Sequence, residues 1–301
     1  MENQVSSVCF DYAAMTQRNI GFVTEDEQAR LRKSLVFVCG AGGMGGACLQ
    51  SLVRAGVGRF EIADLDLFEV SNLNRQVFAS LSDVGQSKVE TTRRKILDIN
   101  PEAEVLVHGA EWSSKLDEIL SRCKLVINGM DDIAAGILLY RKAKEHGATV
   151  IDAYTSPLPS VTCVRPQDPR PEERLGYPSR DMSLATITQG ALKEVIDACK
   201  IREIEYVMTH SSSAEAIDLE RVAEMMAGKR SRMSFAPMVI STGNLMAFEA
   251  IACLLSKRSG AGHRGYFLNT RLARIERPRA WFVALFRLYF VRKFLKEMAR
   301  A

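Results

Sequence analysis

Short apolar runs at 34–39, 59–64, 103–108, 125–129 and 149–153 read as buried strands. Between them, 44–56, 86–99, 113–122 and 133–146 carry apolar residues at helical spacing. Alternation this regular predicts right-handed crossovers and a Rossmann-like α/β fold with a doubly wound, mostly parallel sheet. Residues 11–33 read as one helix packed before the first strand, and 160–165 as a strand at or beyond the sheet's edge. The pattern changes at Pro166: four prolines among residues 166–178 exclude a central helix or strand there. Helical spacing returns at 187–203 and 214–227, the latter opened by Ser212-Ser213-Ala214-Glu215 as a capping box. Residues 166–232 are therefore expected to be an insertion above the C-terminal strand ends, where open α/β sheets bind ligands.

The chemistry concentrates at 36–76. The first strand runs into Gly40-Ala41-Gly42-Gly43-Met44-Gly45-Gly46, and the second ends in Asp64-Leu65-Asp66. Ser71-Asn72-Leu73-Asn74-Arg75-Gln76 follows, and then Lys88. A glycine loop lets backbone approach a phosphate at a helix N-terminus, or merely lets a helix pack closely on its strand. An acid at the end of the next strand suits a ribose contact. An NAD-binding dehydrogenase has no need of the arginine and lysine that follow, whereas a site that holds and reacts a nucleoside triphosphate does.

These motifs resemble those of the ubiquitin-activating-enzyme-like, ThiF-type adenylyltransferases, which include the activators of molybdopterin-synthase and thiamine sulfur carriers. The resemblance rests on the glycine loop, A-G-V-G-R-F at 55–60, D-L-D at 64–66, S-N-L-N-R-Q at 71–76, V-G-Q-S-K-V-E at 84–90 and I-N-P at 99–101. N-G-M-D-D at 128–132 and the apolar helix at 235–252 extend it. It implies ATP and Mg²⁺ as cofactors and a nucleotide site formed by Gly40, Gly42, Gly43, Gly45, Asp64, Asp66, Asn72, Arg75, Gln76 and Lys88. Within that site Asp64 would hold the ribose with Asp66 nearby, Asn72, Arg75 and Lys88 would contact phosphate beside Gln76, and Asp131 would bind Mg²⁺. For Asp131 and Asp132 helix capping is the competing role. Arg18 matches an arginine that relatives donate across a homodimer to the neighbouring ATP, with an ordinary surface arginine as the alternative.

The implied reaction is adenylation of a carboxylate on a ubiquitin-like carrier protein or a peptide. A small-molecule or tRNA-linked carboxylate, and a non-catalytic nucleotide- or NAD-binding regulator, are the other readings. No C-x-x-C pair occurs, so no zinc site is expected. Cys199, the one cysteine in the insertion, reads either as a thioester-forming nucleophile or as a small buried hydrophobe.

Composition narrows the setting. The 301 residues, 47% hydrophobic, supply one large core with a small appendage. The expected division is an adenylyltransferase domain over 1–277, with its nucleotide half at 34–165, and a tail over 278–301. Residues 1–7 lack the apolar stretch of a signal peptide, and the seven cysteines are scattered, so a cytoplasmic protein is expected. The net charge is +4; residues 278–301 carry six Lys and Arg against Glu297, +5, leaving −1 for the rest and no expectation of nucleic-acid binding. Residues 281–291 are almost wholly apolar and aromatic. They read as a peripheral membrane helix or as a helix docked on the body or a partner, since so short a run cannot span a bilayer.

Overall fold

A computed structural model describes residues 9–188, 193–226 and 229–298. The chain opens with α1 (Tyr12–Thr16), a 3₁₀ turn (Gln17–Asn19) and α2 (Glu25–Lys33). The single helix expected over 11–33 is thus broken. Gly21 takes a left-handed φ of +112°, and Thr24 and Glu27 restart the chain with a reciprocal capping box.

There follow β1 (Leu35–Cys39), α3 (Gly43–Arg54), β2 (Arg59–Ala63), α4 (Lys88–Ile99), β3 (Glu104–His108), α5 (Leu116–Arg122), β4 (Leu125–Asn128), α6 (Ile133–Glu145), β5 (Thr149–Asp152) and β6 (Ser160–Val164). The remaining elements are α7 (Pro171–Arg174), α8 (Leu184–Thr188), α9 (Lys193–His210), α10 (Leu219–Met226), α11 (Ala236–Leu254), β7 (Tyr266–Asn269), β8 (Arg274–Glu276) and α12 (Trp281–Met298). The sheet order is β3-β2-β1-β4-β5-β6-β7-β8, parallel through β5 and antiparallel beyond it.

Alternation along β1 sorts its side chains to two cores. Val36 and Val38 join Leu49, Leu52 and Val53 of α3 and Met246 and Ala247 of α11. Phe37 and Cys39 join Leu116, Ile119 and Leu120 of α5 and Leu139 of α6. A strand buried on both faces must be apolar throughout, which is why the parallel strands read as continuous runs.

Three readings of the 160–276 region change. The strand at 160–165 is not at an edge, because β7 and β8 continue the sheet beyond it. The predicted helix at 187–203 resolves into α8 and α9; residues 189–192 lie outside the described set. Ser212 does not cap a helix: its hydroxyl donates to Glu276 Oε1 at 2.6 Å, and α10 begins later, with Asp218 Oδ1 accepting from the amides of Glu220 and Arg221.

The α3–α11 crossing depends on small residues. A Cβ on Gly243 would lie 2.5 Å from the Met44 carbonyl oxygen and 2.6 Å from Ala47 Cβ. Gly243→Ala sets a helix-propensity gain of about 1 kcal/mol against overpacking on backbone that cannot yield, costing about 1–3 kcal/mol. Overpacking should win, lowering the urea midpoint with the slope unchanged; an unchanged or raised midpoint would show that the crossing has slack.

Candidate active site

The end of β1 lies between β2 and β4, at the point where strand order reverses and open sheets form a crevice. Gly40 turns the chain there with φ +88°, and a Cβ on it would lie 2.6 Å from the carbonyl carbon of Gly129. A Cβ on Gly45 would meet the Gly40 carbonyl oxygen at 1.9 Å. Gly40 and Gly45 therefore serve close packing of α3 on the strand ends. Gly43 packs too: its Cβ would sit 2.5 Å from Val239 Cγ1 of α11. Gly42 is different, because a Cβ there would have only ordinary contact with Gln76, at 3.6 Å. Gly42 is the N-cap of α3, and the first-turn amides of Gly43, Met44 and Gly45 have no acceptor among the described residues. Such a turn favours an anion through its free amides and the helix dipole.

Carboxylates and cations are placed around that turn. Asp64 Oδ2 accepts from the Ala41 amide at 2.8 Å and its Oδ1 from the Asp66 amide at 3.0 Å, which fixes the glycine loop to the end of β2. Each oxygen retains a lone pair for a further donor. The Lys88 side chain is largely buried, with Nζ 2.7 Å from the exposed Asp66 carboxylate. Asn72 is buried, with Oδ1 accepting from the Glu69 amide at 3.1 Å. Arg75 Nη1 donates to the Ser71 carbonyl at 2.9 Å and Asn74 Oδ1 at 2.8 Å. Gln76 is buried, and its Oε1 has no hydrogen-bond partner among the described residues. An orphaned acceptor facing the loop is costly unless a donor arrives from outside the chain.

Across the crevice, β4 leads to Asp131 and Asp132. Asp132 caps α6, accepting from the amides of Ala134 and Ala135. Asp131 is left exposed, paired with Arg232 Nη1 at 3.3 Å. Arg232 belongs to a strand of chain crossing the site, since the carbonyl of Ser234 accepts from Asn74 Nδ2 at 3.0 Å. No spacing in the sequence marks Arg232.

Arg18 is not part of this cluster. It is exposed, without hydrogen bond or ion pair among the described residues. Its neighbour Asn19 donates to the Ala55 carbonyl at 3.3 Å, beyond the C-terminus of α3. The twelve residues of α3 place Arg18 roughly 18 Å from the glycine loop of its own chain.

Behind Asp131 a cavity of about 80 Å³ reaches under the insertion. Asn128, Tyr140, Asp152, Tyr154, Arg174 and Glu203 contribute to its lining. Burial pushes the Asp152 carboxyl up to about 6, despite hydrogen bonds from Asn128 Nδ2 at 2.9 Å and Tyr140 Oη at 2.8 Å. The Arg174 guanidinium lies over Tyr206 and Tyr154, at 4.9 and 5.5 Å from the ring centres, with Nε and Nη1 buried and without a hydrogen-bond partner among the described residues. Asp152 was legible only as an acid ending an apolar strand. Cys199 is a core residue beside Ile137 and Tyr177, its thiol pushed up by burial.

A carboxyl raised in the native state favours folding only while protonated. The contribution of Asp152 is therefore full below about pH 4 and lost as the pH rises through about 6. Asp152→Asn should stabilise the protein by about 1–2 kcal/mol at pH 8 and have little effect at pH 4. Urea midpoints of both chains at the two pH values test this; an equal shift at both would mean that the carboxyl is not strained by burial.

A family model described as the ThiF family matches residues 16–281. A probable molybdopterin-synthase adenylyltransferase of Porphyra purpurea is 34% identical over 113 residues, 37% of this chain and 30% of that protein. A tRNA threonylcarbamoyladenosine dehydratase of Bacillus subtilis is 47% identical over 76 residues, 25% of this chain and 30% of that protein. The aligned part thus spans about three tenths of the length of these curated relatives. Among solved structures, Escherichia coli MccB with ATP superposes with a TM-score of 0.59 at 17% identity, covering 85% of this chain and 67% of that one, a likeness of fold. With its family model matched across most of its length, this chain belongs to the ThiF family.

Proposed function

We propose that the chain is an ATP- and Mg²⁺-dependent adenylyltransferase. A carboxylate oxygen attacks the α-phosphorus of ATP, the bond from that phosphorus to the bridging oxygen breaks, and pyrophosphate leaves with an acyl-adenylate formed. The observation that carries this reading is the convergence on one strand reversal of a free helix N-terminus, Lys88, Arg75, the orphaned Gln76 acceptor and the exposed Asp131. A dinucleotide site would use the helix turn and the strand-end acid but leaves these cations and Asp131 without a task.

Each residue then has a role. The α3 amides face the phosphates and Asp64 the ribose hydroxyls. Gln76 Oε1 takes a donor from the nucleoside. Lys88 and Arg75 offset charge on the α-phosphate and the leaving pyrophosphate. Asp131 fits Mg²⁺, since Asp132 has taken the capping role and leaves one carboxylate at the site, and an ion that keeps most of its waters needs few protein ligands. Bound there, the ion would neutralise phosphate charge. The acceptor enters through the cavity behind Asp131. We read that acceptor as the C-terminus of a ubiquitin-like carrier or a peptide, in keeping with the named adenylyltransferase relative, and assign the protein to the cytoplasm. The match to the tRNA dehydratase favours a tRNA-linked carboxylate as the second reading.

Arg18 acts, in this account, across a homodimer. It cannot reach its own glycine loop, and it stands beside the exposed Ile20 and Phe22, the latter 90% accessible.

Asp131→Ala should fold as the parent does and lose pyrophosphate release by about a hundredfold or more. Full activity in that variant would remove the metal from Asp131. Chains carrying Arg18→Ala or Asp131→Ala, each inactive alone, should regain activity when mixed and allowed to exchange. Up to about half the sites of mixed dimers would be intact by two-fold symmetry. Absence of recovery despite demonstrated exchange would take Arg18 out of the partner's site.

A further inference from the structure

The C-terminal helix α12 is built with its apolar side outward. Ala284, Val291 and Leu295 are buried toward the body. Arg292 Nε donates to Glu205 Oε1 of α9 at 2.8 Å, and Arg287 Nη2 to the Met208 carbonyl at 3.0 Å. These bonds fix the helix's roll. The two readings of the tail, docked helix and interfacial helix, therefore describe its two faces. The outer face carries Trp281, Phe282, Leu285, Phe286, Tyr289 and Phe290, each between 54% and 76% exposed. Their spacing makes one stripe along a helix about 27 Å long. A contiguous apolar patch of this size on a folded chain marks an interaction surface, and nothing among the described residues covers it.

Charge selects the occupant. Residues 257–296 hold eleven Lys and Arg against one acid, Glu276, a net of +10, although Lys257 pairs with Glu27 and Arg287 and Arg292 face the body. With residues 297–301 neutral (Glu297 against Arg300), the chain's +4 leaves −6 for residues 1–256. Some of these cations gather where α12 begins: Arg264 Nη2 donates to the Arg279 carbonyl at 3.4 Å, and the exposed Arg277 lies just before Arg279. Two copies of this end facing each other across a two-fold axis would set like charge against like. Unpaired bases could stack on the rings but would find no use for Leu285 within the stripe. An anionic bilayer surface satisfies both features, its headgroups meeting the exposed Arg264 and Arg277 and its acyl boundary taking the Trp, Tyr and Phe rings.

We propose that the outer face of α12 seats this protein on an anionic lipid surface, with the helix axis in the interfacial plane. The proposal does not depend on the reading of the nucleotide site.

Trp281 is its own reporter, because the other tryptophan, Trp112, is buried. The full chain mixed with phosphatidylcholine vesicles containing phosphatidylserine should co-float with them, and its tryptophan emission should shift to the blue. Omitting phosphatidylserine or raising salt should weaken both effects. Phe286→Ser with Phe290→Ser should reduce partitioning by about tenfold or more, with the thermal unfolding midpoint near that of the parent because both rings are exposed. The proposal is overturned if the parent chain neither floats nor shifts its emission with either vesicle, or if the double variant partitions as the parent does. It is equally overturned if, without vesicle binding, the shift arises on self-association or on adding RNA, which would assign the face to a second copy or to nucleic acid.

Discussion

Backbone meets backbone without an intervening side chain where β1, β4 and α3 come together, and the rest of the site depends on that contact. Gly40, Gly45 and Gly129 occupy one small volume; a Cβ on Gly129 would stand 2.4 Å from the Gly40 carbonyl oxygen. The contact sets the first turn of α3 directly on the sheet's strand reversal. Val239 and Gly243 of α11 close the opposite side of the same helix. The free amides thus hold a fixed position before any ligand arrives, which is the preorganisation that electrostatic stabilisation of a transition state requires.

Around that turn the charged side chains are already paired. Lys88 rests on Asp66, and Asp131 on Arg232, in each case with an exposed carboxylate. The Asp131–Arg232 pair is exposed on both sides, a kind that contributes about 0–1 kcal/mol, whereas the Lys88 ammonium is held in a largely buried position. Asp64 differs because backbone amides hold it, joining the glycine loop to the end of β2. The deeper cavity is harder to rearrange: Asp152 is held by its donors Asn128 and Tyr140, and Arg174 lies over two rings.

The parallel half of the molecule was legible because strands buried on both faces are written as continuous apolar runs, and helices between them as amphipathic ones. Legibility failed where pattern and position part company. The strands β7 and β8 span four and three residues, and Arg274 and Glu276 flank a single apolar residue in the latter. Ser212 carries a capping signature, yet Glu276, 64 positions away, takes its hydroxyl. Arg232 and Arg174 reach the crevice and the cavity from the insertion, whose course no local spacing encodes. Arg18 is pointed to by resemblance alone, and in its own chain its neighbour Asn19 lies against the Ala55 carbonyl, at the end of α3 away from the glycine loop.

The α3 turn, Lys88 and Asp131 are proposed to form a triphosphate site and not a dinucleotide one. Titration calorimetry with ATP in Mg²⁺, set against NAD, tests this assignment most directly. One ATP per chain is expected, with little heat from NAD and loss of ATP binding in Lys88→Ala. Saturable NAD binding with no response to ATP would contradict it.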